Sequence, residues 1–372
     1  MRRNEDIYKI ALSFLKGINA QTVRLISEKG LSPEDFFKLT KKELINYFGE
    51  GIGNTFDNVY REEAELLARQ EIEKIQHHHI KPLFLLDDDY PVRLKEIEDA
   101  PVILYKLGEA DLDADKLVSV VGTRRPTPYG VDFCGKLLEE LSLYFNDLCV
   151  VSGLAYGIDA VSHRKALERG LPTVAVVAHG LDMIYPANHR NLGRELIRKG
   201  GAIVSEYPFG TKPFRGNFLA RNRIIAGLSD VSVIIESALR GGAMSTANFA
   251  FLYSREVMAL PGRINDELSQ GCNLLIRKQK ASLIGSAADM IEVTGWRPLN
   301  IKVTPKQRNL FPELSGESQQ IYEILKLNSD PVQIDRICHL TGLGAAKVLA
   351  LMGEMEFEGI IIRHPGNRFS IA

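Results

Sequence analysis

Residues 116–130, KLVSVVGTRRPTPYG, decide how the middle of this chain folds. The run KLVSVV is mostly apolar and β-branched, which reads as a buried strand. Gly122 ends it, and Thr123, Arg124 and Arg125 follow at once. Prolines then stiffen the path until Tyr129 and Gly130 open a helix. A strand, a glycine turn and a helix form the usual frame for holding phosphate. Yet the dinucleotide pattern G-x-G-x-x-G is not met, because Arg124 stands where its second glycine belongs. The Walker pattern G-x-x-x-x-G-K-[ST] occurs nowhere, so NAD and ATP are poorly supported and no cofactor is called for.

The same grammar repeats outward from this stretch. LCVVSG, PTVAVVAHG, GAIVSEYP, VSVIIES and EVMALPG read as further buried parallel strands, with helical patterns between them. Strict alternation predicts a doubly wound (Rossmann-like) α/β sheet over residues 81–296. Residues 1–80 have helical spacing broken by glycines and predict a small helical domain of helix-hairpin-helix/SAM-like type. In LSPEDFFKLT, Ser32 caps a helix with Pro33 at its first position. Residues 297–315 carry three prolines and little periodicity, as a linker does. Residues 316–372 give three helical patterns and a hairpin with a Gly-Asn turn, the outline of a winged helix.

Composition sets bounds. The chain has 372 residues, 45% hydrophobic and 25% charged, with net charge −1, so a nucleic-acid site must be a local patch. No apolar run approaches the ~18 residues that span a bilayer, and MRRNEDIYKI lacks a signal-peptide core. Cys134, Cys149, Cys272 and Cys338 form no C-x-x-C pair, which argues against a zinc ribbon or a disulfide scaffold and fits a reducing cytoplasm.

Ligands of open α/β sheets bind at the carboxyl ends of the strands. Those ends carry Gly122 to Arg125, then Ser152, Gly153 and Tyr156, then a basic run, then Ser245 and Thr246. The basic run holds Lys212, Arg215, Arg221 and Arg223 with no acid, and Phe218 and Asn222 lie among them. Guanidinium forks suit phosphate oxygens, and an aromatic face suits an unstacked base. That combination predicts a groove for single-stranded nucleic acid. Catalytic patterns are weak. Asp159 and His163 read as an early helix acid and a surface histidine, and His77, His78 and His79 as an exposed helix end. Glu206 and Glu236 are the plausible acid/base carboxylates, and either serves equally to bond a backbone N–H or an arginine.

VVGTRRPTPYG, VVSGLAYGIDAVSH, SEYPFG leading to NFLARNRIIAGLSD, ESALRGGAMSTA and ALPGRINDELSQGCNLLI closely resemble the DNA-processing protein A family (DprA, also called Smf). The similarity runs over about residues 87–294, and the flanking domains match the family's order. It implies a cytoplasmic bacterial homodimer that binds single-stranded DNA and loads RecA during natural transformation, as a mediator rather than an enzyme. It places Arg124, the Ser152-Gly153 turn and the run around Arg215, Phe218, Arg221 and Arg223 in the DNA pocket. One departure is GGAMSTA, where the family usually has SGSLITA.

The rival reading is a nucleotide-processing N-glycosidase resembling the phosphoribohydrolases, whose P-G-G-x-G-T-x-x-E glutamate works at the glycosidic bond. Here RGGAMSTAN puts Asn248 at that position, and an amide does not ionise at neutral pH. A duplex-reading winged helix is disfavoured by charge. Its last helical pattern carries Glu354, Glu356 and Glu358 against Lys347 alone.

Overall fold

The computed structural model describes residues 2–56, 58–299, 314, 316–328, 331–357, 360–364 and 368–371. Most of the expected linker and the Gly-Asn turn of the last hairpin lie outside the described residues. The chain divides into two compact units, residues 1–299 and 300–372.

The first unit opens with five helices: α1 (Arg2–Phe14), α2 (Ala20–Glu28), α3 (Pro33–Lys38), α4 (Lys41–Thr55) and α5 (Asn58–His77). Ser32 caps α3 as expected, in a reciprocal capping box with Asp35. Then come β1 (Lys81–Phe84), α6 (Val92–Lys95), β2 (Ile103–Gly108), β3 (Lys116–Gly122), α7 (Pro128–Tyr144), β4 (Leu148–Ser152), α8 (Ile158–Glu168) and β5 (Thr173–Val176). The unit continues through α9 (Arg190–Arg198), β6 (Ala202–Ser205), α10 (Arg215–Leu228), β7 (Val231–Ile235), α11 (Ala243–Leu252), β8 (Glu256–Ala259), α12 (Gln270–Arg277), β9 (Ser282–Leu283) and α13 (Ala287–Thr294).

The strands form one sheet in the order β1-β2-β6-β5-β4-β3-β7-β8-β9. From β6 to β9 every pairing is parallel, as the alternating pattern predicted. Three strands of this sheet were not read from the sequence: β1 and β2 extend the β6 edge in antiparallel fashion, and the two-residue β9 adds a parallel strand beyond β8. Apolar side chains fill both faces. Phe133, Leu137 and Leu141 of α7 pack with Met290 of α13 on one face. On the other, Ile224, Ile225 and Leu228 of α10 share a core with Ile10, Leu12 and Phe36 of the amino-terminal helices. Full burial of each such side chain stabilises by about 1.5–3 kcal/mol, which ties the helical layer to the sheet.

β3 comes first among the parallel strands yet lies between β4 and β7. The chain winds away from it in both directions, so the carboxyl ends of β3 and β7 flank the switch point where such sheets bind ligands.

The second unit contains α14 (Gly316–Lys326), β10 (Val332–Gln333), α15 (Ile334–Thr341), α16 (Ala345–Phe357), β11 (Ile361–His364) and β12 (Arg368–Ile371). Its three strands pair in the order β10-β12-β11 around a core containing Ile321, Ile337, Val348 and Phe369. This is the expected winged helix. Among the described residues, no helix is long and apolar enough to cross a membrane.

Candidate nucleic-acid interface

A cleft of about 670 Å³ opens at the switch point. Gly122, Thr123 and Arg124 supply one wall from the end of β3, and Ser237 to Gly242 supply another beyond β7. The third wall is one face of α10, where Arg215, Phe218, Leu219, Asn222 and Ile225 recur at helical spacing. Both α10 and α11 begin at this rim, so their positive ends aim into it. Arg124, Arg215 and Arg240 give the cleft its cationic wall, and none of them makes an ion pair with a described residue.

The Arg124 guanidinium lies over the Phe218 ring, 5.8 Å from its centroid. Tyr185 leans on the same ring at 5.7 Å. The stack presents an aromatic face beside a cation, as base and phosphate binding require together. Glycine serves close packing here rather than ligand approach. A Cβ on Gly122 would strike the Ile235 carbonyl and Ile158. Gly157 has φ +81, and a Cβ there would strike the Thr123 carbonyl. Ile158 N–H donates to that same carbonyl at 3.1 Å, so the turns after β3 and β4 are tied to each other. Beyond Gly122, Glu236 takes the N–H and the hydroxyl of Thr127, which caps α7.

Several residues expected to face DNA do not reach the cleft as charged or polar ligands. Ser152 is fully buried and donates its hydroxyl to the Val120 carbonyl at 2.6 Å. As the last residue of β4, its side chain points into the sheet layers. Gly153 is held by close packing: its carbonyl accepts from Arg221 at 2.7 Å, and its N–H is drawn to Asp159. A Cβ there would lie 2.6 Å from both the Arg221 guanidinium and the Asp159 carboxylate. Arg221 is 4% exposed and also donates to the Val176 carbonyl, so it forms the floor of the cleft rather than a phosphate hook. Burial pushes its guanidinium down to about 10, against the pull of Asp159. Burial likewise raises Asp159, opposed by the Arg221 charge and by backbone N–H groups of Ala155 and Gly153.

Arg223 turns away from the cleft. Its guanidinium forks onto Glu206 at 2.7 and 2.5 Å, and its Nε donates to the Asp99 carbonyl at 2.9 Å. Burial works against its charge, but the Glu206 hydrogen bonds and charge raise its pKa above the ordinary arginine value. The cation expected at the rim and the carboxylate expected to do chemistry therefore neutralise each other. Asn222 lines the cleft and donates to Ser245 Oγ at 2.7 Å, while Ser245 donates to the Gly242 carbonyl. Thr246 lines the cleft beneath them and is buried. Lys212 is exposed on the loop before α10 and does not line the cleft.

That loop is pinned from outside the sheet. The Phe209 N–H donates at 2.8 Å to Glu71, a carboxylate buried on α5, and His78 packs on the Phe209 ring at 4.9 Å. Gly210 N–H donates to Asp182 at 2.9 Å. His77, His78 and His79 end α5 exposed, as expected, and no cluster of three metal-binding side chains occurs among the described residues. His163, by contrast, is fully buried rather than on the surface.

Arg240 and Tyr185 were missed in the sequence. Arg240 sits in ESALRGG, where a lone cation between a strand end and two glycines was the available signal. Tyr185 lies in a loop that carried no basic neighbour within the run DMIYPAN, so nothing marked it.

Fold and site together define a doubly wound α/β protein with a cationic cleft at its switch point and an appended winged helix. Residues 81–295 match the family described as DNA recombination-mediator protein A, and residues 305–367 match the DprA winged helix domain. The chain belongs to the DprA/Smf family. It is 32% identical to protein Smf of Synechocystis over 99% of both chains. The solved DNA processing protein A of Streptococcus pneumoniae superposes with a TM-score of 0.64 at 33% identity, covering 78% of this chain and 97% of that one. The Helicobacter pylori protein, solved for its single-stranded DNA binding mode, superposes with a TM-score of 0.52 at 35% identity, covering 59% of this chain and 96% of that one.

Proposed function

We propose that this protein binds single-stranded DNA in the switch-point cleft and loads RecA onto incoming strands during natural transformation. It works as a cytoplasmic homodimer and a recombination mediator, without a catalytic step of its own. The observation that carries the DNA reading is the Arg124–Phe218 stack, flanked by Arg215 and Arg240 in one cleft. Family membership and the binding mode for which the Helicobacter pylori relative was solved support the same ligand. RecA loading and the dimer rest on the resemblance to the family.

The N-glycosidase reading lacks its acid. Asn248 lies exposed on α11, where its side-chain oxygen faces Lys280 at 3.4 Å, and it lines no wall of the cleft. Glu206 and Glu236 are engaged by Arg223 and Thr127. The winged helix is read as a protein-contact module. Lys347, the base of α16, is already paired with Glu317 at 2.5 Å, leaving Glu354 and Glu356 to repel a phosphate backbone.

The test is fluorescence anisotropy with a labelled oligothymidylate over a range of salt. Affinity falls with salt at a slope of about −0.7 per phosphate neutralised. The triple variant Arg124→Ala, Arg215→Ala, Arg240→Ala flattens that slope and abolishes most binding, whereas residues 1–299 alone retain it. A triple variant that binds like the parent refutes the cleft. RecA loading is read separately, as faster onset of RecA ATP hydrolysis on the coated strand; no acceleration removes that part alone.

A further inference from the structure

Beside the cleft lies a second, more open cup of about 690 Å³. Arg124 lines both. The cup's other cationic walls are Arg125 and Arg164, and its aromatic wall is Tyr156. No acid lines it. The nearby carboxylates are occupied: Glu168 of α8 pairs with Lys165, and Glu139 of α7 pairs with Arg169. Arg125 and Arg164 are exposed and make no ion pair with a described residue.

The aromatic wall is held in place. Tyr156 is 43% exposed, and its ring meets His189 edge-on at 5.0 Å. His189 is itself buried, with Nδ1 2.9 Å from the Leu154 carbonyl. Leu154 adopts φ +55, a left-handed conformation that costs a non-glycine residue energy. That turn carries Tyr156 out to the rim instead of letting the loop fold into the sheet. A fixed exposed ring among unpaired guanidinium groups repeats the chemistry of the cleft.

We infer that this cup is a second nucleotide subsite for the same strand, entered over Arg124, in which Arg125 and Arg164 take phosphates and Tyr156 stacks a base. The inference rests on the single-strand reading of the cleft. It makes the footprint of one protomer longer than the cleft alone allows, gives the expected Tyr156 a place outside the cleft, and adds Arg164 to the binding surface.

The experiment compares oligothymidylates from about 4 to about 20 nucleotides, a range that brackets the footprint of a small single-strand site. With wild type, affinity rises steeply once the strand is long enough to leave the cleft. Arg164→Ala and Arg164→Glu leave the shortest oligomer's affinity unchanged, remove most of the gain with length, and lower the salt slope for long strands by about 0.7. Tyr156→Ala removes part of the gain without changing the slope. Unchanged thermal unfolding of these exposed variants excludes a folding effect. If Arg164→Glu binds every length like wild type while Arg124→Ala is defective, the cup is not on the strand's path and the cleft reading survives. If thymidine monophosphate at millimolar level erases the length gain but spares the shortest oligomer, the cup belongs to a free nucleotide and the inference is overturned. If wild type binds no oligomer, both readings fall.

Discussion

Arg221 and Asp159 carry opposite charges on the two sides of Gly153, close enough that a methyl group on that glycine would lie 2.6 Å from each. Both are buried beneath the cleft. Removing Arg221 leaves the Gly153 and Val176 carbonyls without their charged donor and takes a favourable charge from the buried Asp159, which costs about 1–3 kcal/mol. Arg221→Met is therefore a stability variant. Urea unfolding shows a loss of that order, partly restored in the double variant with Asp159→Asn. Well below its melting temperature, Arg221→Met keeps the wild-type salt slope for DNA.

Arg124 and Phe218 separate phosphate from base. Arg124→Ala leaves stability within about 0.5 kcal/mol and reduces the salt slope by about 0.7. Phe218→Ala leaves the slope alone and weakens binding by about 1–3 kcal/mol for each base it stacks. Anisotropy titrations at several salt concentrations distinguish the two.

Arg223 behaves as a structural cation. Its side chain is 13% exposed and that of Glu206 17%. Losing this charge-assisted fork in Arg223→Ala destabilises by about 1.5–3 kcal/mol, read by chemical denaturation. DNA salt dependence stays as in wild type.

This contrast between neighbouring arginines marks where the sequence stops being legible. Six of the seven parallel strands were plain because β-branched, uncharged runs have few other homes; β9 spans only two residues and shows no pattern. The rim was plain because strand ends define it. The facing of each side chain was not, although α10 contains the arithmetic. Residues two apart on a helix lie about 200° apart around its axis. Arg221 and Arg223 therefore could not both line one cleft: residues 215, 218, 219, 221, 222 and 225 line it, with Arg221 at its floor, and Arg223 does not. Strands β1 and β2 were missed for another reason. One begins KP and the other carries Lys106, so neither shows the unbroken apolar pattern of a central strand, and antiparallel edge strands need none.

His163 predicts a pH dependence of folding. Thr173 donates its hydroxyl to the Val150 carbonyl at 2.8 Å, so it accepts from His163 Nδ1 at 2.7 Å. Nε2 then faces the interior with no partner among the described residues. Burial lowers this imidazole from 6.5 to about 3. The unfolded chain binds a proton below 6.5 that the native chain refuses, so stability falls as pH drops from 6.5 towards about 3. The contribution reaches about 1.4 kcal/mol per pH unit. His179, also lowered by burial, adds in the same direction. Urea midpoints of His163→Gln against wild type isolate the first term: the variant's curve is flatter between pH 6 and pH 4 by up to about 1.4 kcal/mol per unit.

The hydrogen bond from Phe209 to buried Glu71 gives the amino-terminal helices work at a distance. They touch no wall of the cleft, yet they clamp the segment that delivers Arg215 to it. A partner that grips α5 at its exposed histidine end thus has a lever on the DNA-facing loop. Anything that pulls Glu71 away slackens the loop, and the change is felt as grip on the strand, with no partner residue near a nucleotide.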